Sequence, residues 1–297
     1  MKFLVYGSNG WIGTKVYNEL IINLGHEVVA GGSRVNDVIS LEEEIKVVSP
    51  THVISLIGRT HGTYNNKVYG TIDYLEQPGR LVENVRDNLF SPIVLSLFAQ
   101  KYNYHFTYLG TGCIFEYDKE HPFWEEINGF TEDSLPNFFG SGYSIVKGFT
   151  DQLMHLLTNT LNVRIRMPIT DEYNPRNFIT KITTYSKICS VPNSMTVLDE
   201  LIPIMIDMAK NNVTGTVNMT NPGLISHNEI LTMYKEIVDP TFTWQNFSES
   251  EQREILDSGR SNNFLDTTRL QTLYPNVKNI KDSVRDTLVR MADKNNN

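Results

Sequence analysis

The stretch KFLVYGSNGWIG, from Lys2 to Gly13, decides the fold class of this chain. A short apolar run is followed by glycines spaced G-x-x-G-x-x-G, and apolar residues then recur with helical spacing from Val16 to Leu24. A strand, a glycine turn and a helix in this order indicate a dinucleotide site, because glycines let the backbone approach a pyrophosphate at the positive end of the helix. An ordinary strand–helix turn is the alternative, since the spacing differs from G-x-G-x-x-G. The cofactor-binding residues predicted in this turn are Gly7, Asn9, Gly10, Trp11, Ile12 and Gly13.

Beyond this turn, apolar runs typical of strands alternate with helical patterns. The predicted strands are 27–31, 51–57, 105–109 and 163–167, and the predicted helices are 41–48, 81–102 and 143 to about 161. This alternation predicts an α/β fold with a Rossmann-type, doubly wound parallel sheet. Because the regularity fades after Pro168, we predict an NADP-binding Rossmann domain at 1–168. A smaller, interleaved substrate-binding region at 169–297 is predicted to return in part to the first domain.

The ends of the predicted strands carry further candidate ligand contacts. The second strand ends in Gly-Gly-Ser-Arg, without the acidic residue that binds the ribose 2′-hydroxyl of NAD. Ser33 and Arg34 therefore favour the 2′-phosphate of NADP(H), and an exposed loop charge is the alternative for Arg34. The third strand leads into GRTHG at 58–62, where His61 is a candidate substrate contact, and 63–79 is predicted to be a long loop over the site. The remaining predicted cofactor contacts are Ile57, Gly58, Thr60, Tyr143, Lys147 and Pro168.

One pair of side chains on the third predicted helix suggests chemistry. Tyr143 and Lys147 are four residues apart, so they share one helix face. A neighbouring ammonium favours the phenolate and is expected to lower the tyrosine pKa, and such a pair can polarise or protonate a carbonyl oxygen. Tyr-x-x-x-Lys is also frequent on solvated helices. The pair is a stronger indication of catalysis because the chain also contains the glycine turn and Thr111-x-Cys113, which follows the strand 105–109.

The composition of the chain also limits which functions are possible. The chain has 297 residues, 40% of them hydrophobic, and a net charge of −8, which argues against nucleic acid or an anionic membrane as main partners. No apolar run reaches the roughly 18 residues that a transmembrane helix needs. Two cysteines make neither a disulfide framework nor a zinc site, so we predict no metal and a reducing, cytoplasmic compartment.

Taken together, these motifs resemble a known family. The glycine turn and the Tyr143/Lys147 pair resemble the extended short-chain dehydrogenase/reductases. Longer runs resemble the UDP-4-keto-6-deoxy-glucose 3,5-epimerase/4-reductases, which make UDP-L-rhamnose in plants and in some large DNA viruses. These runs are GWIG at 10–13, TGCIFEY at 111–117, RMPI at 166–169, NPRNFITK at 174–181, PNSMT at 192–196 and RSNN at 260–263. The likeness covers nearly the whole chain and is weakest at 58–79.

The resemblance implies a substrate, a cofactor and roles for single residues. Cys113 and Lys181 would exchange the protons at C3 and C5 of UDP-4-keto-6-deoxy-D-glucose, beside its 4-ketone. Thr111 and Tyr143 would stabilise the enolate, and Tyr143 would protonate O4 as NADPH reduces C4. Lys147 would lower the pKa of Tyr143 and bind the nicotinamide ribose. The substrate contacts implied are His61, Cys113, Asn177, Lys181, Asn193 and Arg260.

The resemblance also implies an assembly and a place in the cell. A homodimer is expected through the helical segments 81–102 and 143–161, in the cytoplasm, or in the host cytoplasm if the protein is viral. The product would be UDP-β-L-rhamnose, and UDP rather than dTDP rests on the resemblance alone.

Two other functions remain open. A monofunctional dTDP- or UDP-4-dehydrorhamnose 4-reductase needs Thr111, Tyr143 and Lys147 but not Cys113 and Lys181. A non-catalytic NADP-binding subunit could be built on the same fold, although such subunits often lose the tyrosine or the lysine.

Overall fold

The computed structural model describes residues 1–123 and 127–295, so the last two residues of the predicted C-terminal region lie outside it. Its strands are β1 (Lys2–Tyr6), β2 (Glu27–Ala30), β3 (His52–Ser55), β4 (Gly62–Tyr64), β5 (Lys67–Tyr69), β6 (His105–Thr111), β7 (Thr160–Ile165), β8 (Pro168–Ile169), β9 (Thr196–Val197) and β10 (Gly215–Asn218). Six of them form one sheet in the order β10-β7-β6-β3-β1-β2, with every neighbouring pair parallel. The predicted Rossmann-type doubly wound sheet is confirmed.

Some of the helices cover both faces of this sheet, and others lie beside it. They are α1 (Trp11–Asn18), α2 (Val38–Val48), α3 (Leu81–Val85), α4 (Ser91–Tyr102), α5 (Gly142–Met154), α6 (Phe178–Thr184), α7 (Leu198–Lys210), α8 (His227–Ile237), α9 (Glu249–Ile255), α10 (Thr268–Leu273) and α11 (Ile280–Asn295). The apolar sides of α1 and α7 pack on one face, and those of α2 and α4 pack on the other. This two-sided cover is why the central strands are buried on both faces. None of the helices in the described ranges is long and apolar enough to cross a bilayer.

Two predicted segments differ in detail. The helix predicted from 143 to about 161 ends at Met154, because Thr160 and Leu161 already pair with β6. The helix predicted at 81–102 is interrupted by a wide helical turn, Arg86–Phe90, between α3 and α4. The predicted loop at 63–79 contains most of the hairpin formed by β4 and β5 and a tight helical turn, Ile72–Glu76.

The chain beyond β7 builds a second core beside the sheet. Apolar residues of α6, α8 and α11 pack together there with the short strands β8 and β9. Between them the chain goes back to the sheet, where α7 packs on α1 and β10 pairs with β7. The two cores thus flank the carboxyl ends of the parallel strands, and the division at residue 168 stays a prediction.

The opposite end of the sheet holds a buried histidine with a consequence for stability. His52 is 5% exposed, stacks on Phe3 with ring centroids 4.9 Å apart and lies 5.7 Å from the ring of His105. Burial, reinforced by His105, lowers the pKa of His52 from 6.5 to about 4. The folded state therefore keeps this ring neutral, whereas the unfolded chain binds a proton as the pH falls below about 6.5.

We expect the contribution of His52 to stability to be complete above pH 6.5 and to decline as the pH falls towards 4. The loss amounts to about 3 kcal/mol, since each pKa unit corresponds to about 1.4 kcal/mol. In His52→Phe, which keeps an aromatic ring on Phe3, the free energy of unfolding should fall less steeply over this range than in the wild type. Urea unfolding followed by circular dichroism between pH 7 and pH 4.5 measures the difference, and identical slopes would contradict the assignment.

Candidate active site

A cleft of about 590 Å³ lies where the strands of the sheet end and the second core begins. Its walls come from the glycine turn, the chain after β3, the end of β6, α5 and the C-terminal region. The predicted site residues that line it are Gly10, Trp11, Ile12, Gly13, Ile57, Gly58, Thr60, His61, Thr111, Cys113, Tyr143, Lys147, Pro168, Lys181 and Arg260. The fold thus brings most of the residues singled out in the sequence to one place.

The glycine turn is tight for a steric reason. Gly7 has a φ of +78°, which favours glycine, and its backbone packs against Leu56 and Ile57 at the end of β3. A side chain at Gly13 would place its Cβ 2.0 Å from the carbonyl oxygen of Gly7. Glycine at both positions therefore lets the first turn of α1 approach β1 and opens the helix N-terminus to the cleft.

The same turn is tied to the C-terminal region. The indole N–H of Trp11 donates to the carboxylate of Glu172, and the ammonium of Lys15 lies 3.2 Å from the same carboxylate. Glu172 follows β8, across the cleft from the glycine turn. These contacts connect the two sides of the cleft at the end where the turn lies.

Helix α5 carries Tyr143 and Lys147 into the cleft. The helix begins after Ser141, whose hydroxyl accepts a hydrogen bond from the amide of Ser144 at 3.0 Å and so caps the first turn. Both functional side chains are buried, Tyr143 9% exposed and Lys147 4% exposed. The ammonium of Lys147 donates to the hydroxyl of Tyr108 in β6 and lies 3.4 Å from the carbonyl oxygen of Leu109.

Burial changes the pKa of both Tyr143 and Lys147, and the change for Tyr143 is opposite to the predicted one. It raises the pKa of Tyr143, and nearby Cys113 adds to this rise while a hydrogen bond with Thr111 opposes it. The Tyr143 pKa therefore lies above its ordinary value and not below it as predicted, because desolvation of the phenolate dominates. Burial also lowers the pKa of Lys147 to about 7, with Asp151 and Cys113 acting in the opposite direction. The tyrosine is thus held protonated and can act as a proton donor.

The loop 111–113 is fixed from behind. The backbone amide of Cys113 donates to the hydroxyl of Thr111 at 3.1 Å, and the carbonyl oxygen of Gly112 accepts from Arg166 and Asn263 at 3.3 and 2.9 Å. A Cβ at Gly112 would lie 2.6 Å from a methyl group of Leu265. The hydroxyl of Thr111 and the half-buried thiol of Cys113 are therefore presented to the cleft by a rigid support.

Positive charge gathers on the opposite wall. Lys181, in α6, has its pKa lowered by burial first and then by Arg176 and Arg260. The guanidinium of Arg176 lies against the ring of His61, with one nitrogen 2.9 Å from Nδ1. Burial and then Arg176, Arg59 and Lys181 lower the pKa of His61 to about 4, so this imidazole is neutral at pH 7. A wall of this kind suits an anionic ligand.

Two cations, Arg260 of this wall and Arg59 outside the cleft lining, already have partners. Arg260 pairs with Asp73 at 2.6 Å, and Arg59 pairs with Asp87 at 2.9 Å. Within the described ranges, by contrast, no carboxylate lies within 4 Å of Arg176 or Lys181. We conclude that Arg176 has the positive charge most available to an anion in the cleft, and that Lys181 lacks a close carboxylate that would keep it protonated.

The end of β2 has a carboxylate that the sequence did not suggest. Glu44, from α2, accepts hydrogen bonds from the backbone amides of Gly32 and Ser33 at 2.7 and 3.2 Å and from the hydroxyl of Tyr6 at 2.8 Å. The hydroxyl of Ser33 donates to a backbone carbonyl, while Arg34 is exposed. Ser33 and Arg34 lie outside the cleft lining, and Arg34 forms no ion pair with any residue that the structure describes.

Two of the predicted substrate contacts lie behind the cleft wall. Asn177 and Asn193 are fully buried and are absent from the lining. The amide of Asn177 caps α6 and binds carbonyl oxygens of Thr170 and Glu172, and Asn193 accepts from the guanidinium of Arg166. Both asparagines therefore support the structure of the cleft wall, since their polar atoms are hydrogen-bonded to other protein groups.

Several cleft residues were missed in the sequence. They are Arg176, Tyr185, Cys189, His227 and Gln252. Arg176 lies inside the run NPRNFITK, so that run contained the signal for it. Cys189 and His227 both line the cleft although they are distant in the sequence, which no spacing could indicate.

Known proteins resemble the chain over nearly its full length. The crystal structure of the L780 UDP-rhamnose synthase from Acanthamoeba polyphaga mimivirus matches with a TM-score of 0.92 and 54% sequence identity, covering 98% of this chain and 99% of that chain. A bifunctional dTDP-4-dehydrorhamnose 3,5-epimerase/dTDP-4-dehydrorhamnose reductase from Arabidopsis thaliana is 44% identical over 284 residues, which are 95% of this chain and 91% of the plant protein.

A longer plant protein contains a matching part. The trifunctional UDP-glucose 4,6-dehydratase/UDP-4-keto-6-deoxy-D-glucose 3,5-epimerase/UDP-4-keto-L-rhamnose-reductase RHM2 of Arabidopsis thaliana is 42% identical over 285 residues, 96% of this chain and 41% of that protein. No model of a protein family matches the sequence. On these similarities, the chain belongs to the family of bifunctional 3,5-epimerase/4-keto-reductases of rhamnose nucleotides.

Proposed function

We propose that this protein converts UDP-4-keto-6-deoxy-D-glucose to UDP-β-L-rhamnose by 3,5-epimerisation followed by NADPH-dependent reduction of the 4-ketone. The observation that carries the proposal is that two sets of groups line one cleft. Thr111, Tyr143 and Lys147 suit reduction, whereas Cys113 and Lys181 suit proton exchange. A monofunctional reductase would need only the first set.

The glycine turn fits a dinucleotide. The Cβ clash at Gly13 and the positive φ of Gly7 describe a cradle in which a pyrophosphate can meet the backbone at the start of α1. The residues proposed to hold the cofactor are those of the turn, together with Ile57, Gly58, Thr60, Lys147 and Pro168. When bound, the nicotinamide supplies the hydride for C4. NADPH rather than NADH stays a prediction, which now rests on the exposed Arg34.

Epimerisation requires a base and an acid beside a ketone. The 4-ketone makes the protons on C3 and C5 acidic, and we assign their removal and return to Cys113 and Lys181. A lysine whose pKa is lowered by burial and by two guanidinium groups is neutral in a larger fraction of molecules, and a neutral amine can accept a proton. Negative charge that develops on O4 would be stabilised by hydrogen bonds from Tyr143 and Thr111.

Reduction needs a proton for O4. We assign its donation to Tyr143, which burial keeps protonated. Lys147 would bind the nicotinamide ribose and stabilise the phenolate left after the proton has gone. The guanidinium groups of Arg176 and Arg260 would bind the diphosphate of the nucleotide sugar, since charge-assisted hydrogen bonds to phosphate oxygens are strong.

The test uses the complete protein with NADPH and UDP-4-keto-6-deoxy-glucose in deuterated buffer, with the products analysed by NMR. The proposal predicts UDP-rhamnose with deuterium at both C3 and C5, formed as NADPH is consumed. Reduction without deuterium at these carbons would indicate the monofunctional reductase. The dTDP analogue, offered in competition, decides the nucleotide, and NADH in parallel decides the cofactor.

We also propose a homodimer through α4 and α5. Exposed apolar side chains form a stripe on α5 at Ile145, Phe149 and Leu153, with the i, i+4 spacing that places them on one face. Leu97 of α4 and Phe90 just before it are exposed as well. Helix α4 contacts α5, and we propose that these side chains belong to one apolar surface of the kind that marks protein–protein interfaces.

The substitution Phe149→Glu is expected to weaken this dimer by at least about 30-fold, because truncation of a central interface aromatic costs about 2 kcal/mol or more. Val47→Glu on α2 is the matched control, since Val47 is 85% exposed but lies outside the stripe. Sedimentation velocity over a range of concentrations measures the dissociation constant. Equal constants for the two variants would refute the proposed interface.

A further inference from the structure

The ammonium of Lys147 has an unusual set of neighbours. Its nearest oxygen is the hydroxyl of Tyr108, and the ammonium also lies 4.6 Å from the centre of the Tyr108 ring. Tyr108 belongs to β6, is 1% exposed and is not part of the cleft lining. It therefore reaches Lys147 from beneath, away from the side on which ligands bind.

Lys147 has no close carboxylate among the residues that the structure describes. Throughout residues 1–123 and 127–295, no carboxylate oxygen lies within 4 Å of its ammonium. Asp151 is one helical turn away, but its oxygens accept from Arg164 at 2.8 and 2.7 Å and from Asn162 at 2.8 Å. A buried cation without a close counter-charge depends on neutral oxygen atoms and on aromatic rings for its solvation.

We infer that Tyr108 is a positioning residue for the proposed reduction, whose hydroxyl and ring hold the Lys147 ammonium charged and directed towards Tyr143. The inference rests on the proposed function, because it concerns the lysine of the same site. In this role Tyr108 itself would contact neither substrate nor cofactor.

The groups that face this ammonium come from every neighbouring element. Tyr143 and Asp151 are on its own helix, and Tyr108 is in β6. Cys113 is in the loop after β6, and Arg164 in β7 acts through Asp151. Because burial already brings the pKa of Lys147 to about 7, the loss of one hydrogen-bond acceptor changes its charge at neutral pH. With a more usual lysine pKa, the same loss would have little effect on the charge.

Two substitutions separate the contributions of Tyr108. Tyr108→Phe keeps the ring under the ammonium and removes only the hydroxyl, whereas Tyr108→Leu removes both. The control is Tyr104→Phe, which deletes another buried tyrosine hydroxyl, bonded to the carbonyl of Leu95 at 2.7 Å and remote from Lys147. All variants are compared by urea unfolding, so that a loss of stability is separated from a change in the site.

We expect the basic limb of the pH profile of kcat/KM for reduction to move to lower pH by about one unit in Tyr108→Phe, and further in Tyr108→Leu. Above the limb kcat/KM falls about tenfold, and on its acid side it stays within about twofold. The control keeps the wild-type profile. An equal loss at every pH, or an unchanged profile, would overturn the inference.

A second readout keeps this test independent of turnover. The dissociation constant of NADPH, followed by the fluorescence of Trp11 and the other tryptophans, should show the same pH shift in Tyr108→Phe. If the wild type binds NADPH without reducing any 4-keto sugar, the proposed function fails while this titration still decides the role of Tyr108. An NADPH affinity with the wild-type pH dependence would contradict that role.

Discussion

Replacement of Tyr143 by phenylalanine is expected to lower kcat for 4-keto reduction by about 10³-fold, the range found for loss of a general acid. The ring would still fill its place in α5, but no proton would be available at O4 when the hydride arrives. The hydroxyl is buried and held protonated, and water has little access to replace it. The decrease should appear in the consumption of NADPH measured at saturating substrate.

Other quantities measured on Tyr143→Phe show whether the effect is chemical. The dissociation constant of NADPH should stay within about threefold of the wild type, because Lys147 and the glycine turn are unchanged. Deuterium exchange at C3 and C5 should slow less than reduction does, since Thr111 still donates to the enolate oxygen. A variant that reduces the ketone at a rate within tenfold of the wild type would exclude Tyr143 as the proton donor.

Loss of either proton-exchange residue is expected to have the second large effect. Lys181→Met and Cys113→Ala should each slow deuterium incorporation at one or both of C3 and C5 by about 10²- to 10⁴-fold. Reduction of UDP-4-keto-L-rhamnose, which is already epimerised, should continue within about tenfold of the wild-type rate. NMR of the sugar and NADPH consumption measure the two activities separately.

The exposed Lys187, close to Lys181 in sequence but not among the cleft residues, provides the matched control. Lys187→Met should leave both activities unchanged, which separates the loss of one particular amine from the loss of a positive charge. If Lys181→Met and Cys113→Ala exchanged both protons at the wild-type rate, the protein would need another acid and base. His61, neutral at pH 7 and also in the cleft, would be the next group to replace.

The fold followed from local patterns in the sequence. The stretch from Lys2 to Gly13 contains its own strand, turn and helix start, and β3, β6 and β7 are largely buried runs in the parallel sheet. The end of α5 was misplaced because the chain from 155 to 161 is also apolar enough to continue a helix. Pairing of Thr160 with Phe106 decides the boundary, and such a partner is invisible to local periodicity.

The site was predicted less completely, for a related reason. Thr111, Tyr143 and Lys147 lie at the ends of strands and on the start of a helix, where their positions follow from topology. Glu44 could not be placed, since a carboxylate on α2 reaches the end of β2 only through the packing of the helix on the sheet.

The pKa values of the site residues were the property that the spacing of residues in the sequence predicted least well. The pair of Tyr143 and Lys147 indicates attraction between an ammonium and a phenolate, but the direction of the tyrosine pKa is decided by burial. Knowing which two residues lie four positions apart does not tell how far their side chains are exposed to solvent. For the same reason Asn177 and Asn193, which look like ligand contacts in their motifs, are bound to the protein itself.

The return of the chain to the sheet after β9 restricts how this enzyme type can be recombined. A chimera with one junction at residue 168 would receive α7 and β10 from its second parent, and these must pack on the α1 and β7 of the first. A chimera that exchanges substrate preference between two relatives therefore needs at least two more crossovers. These crossovers would keep α7 and β10, residues 198–218, from the parent that supplies the sheet.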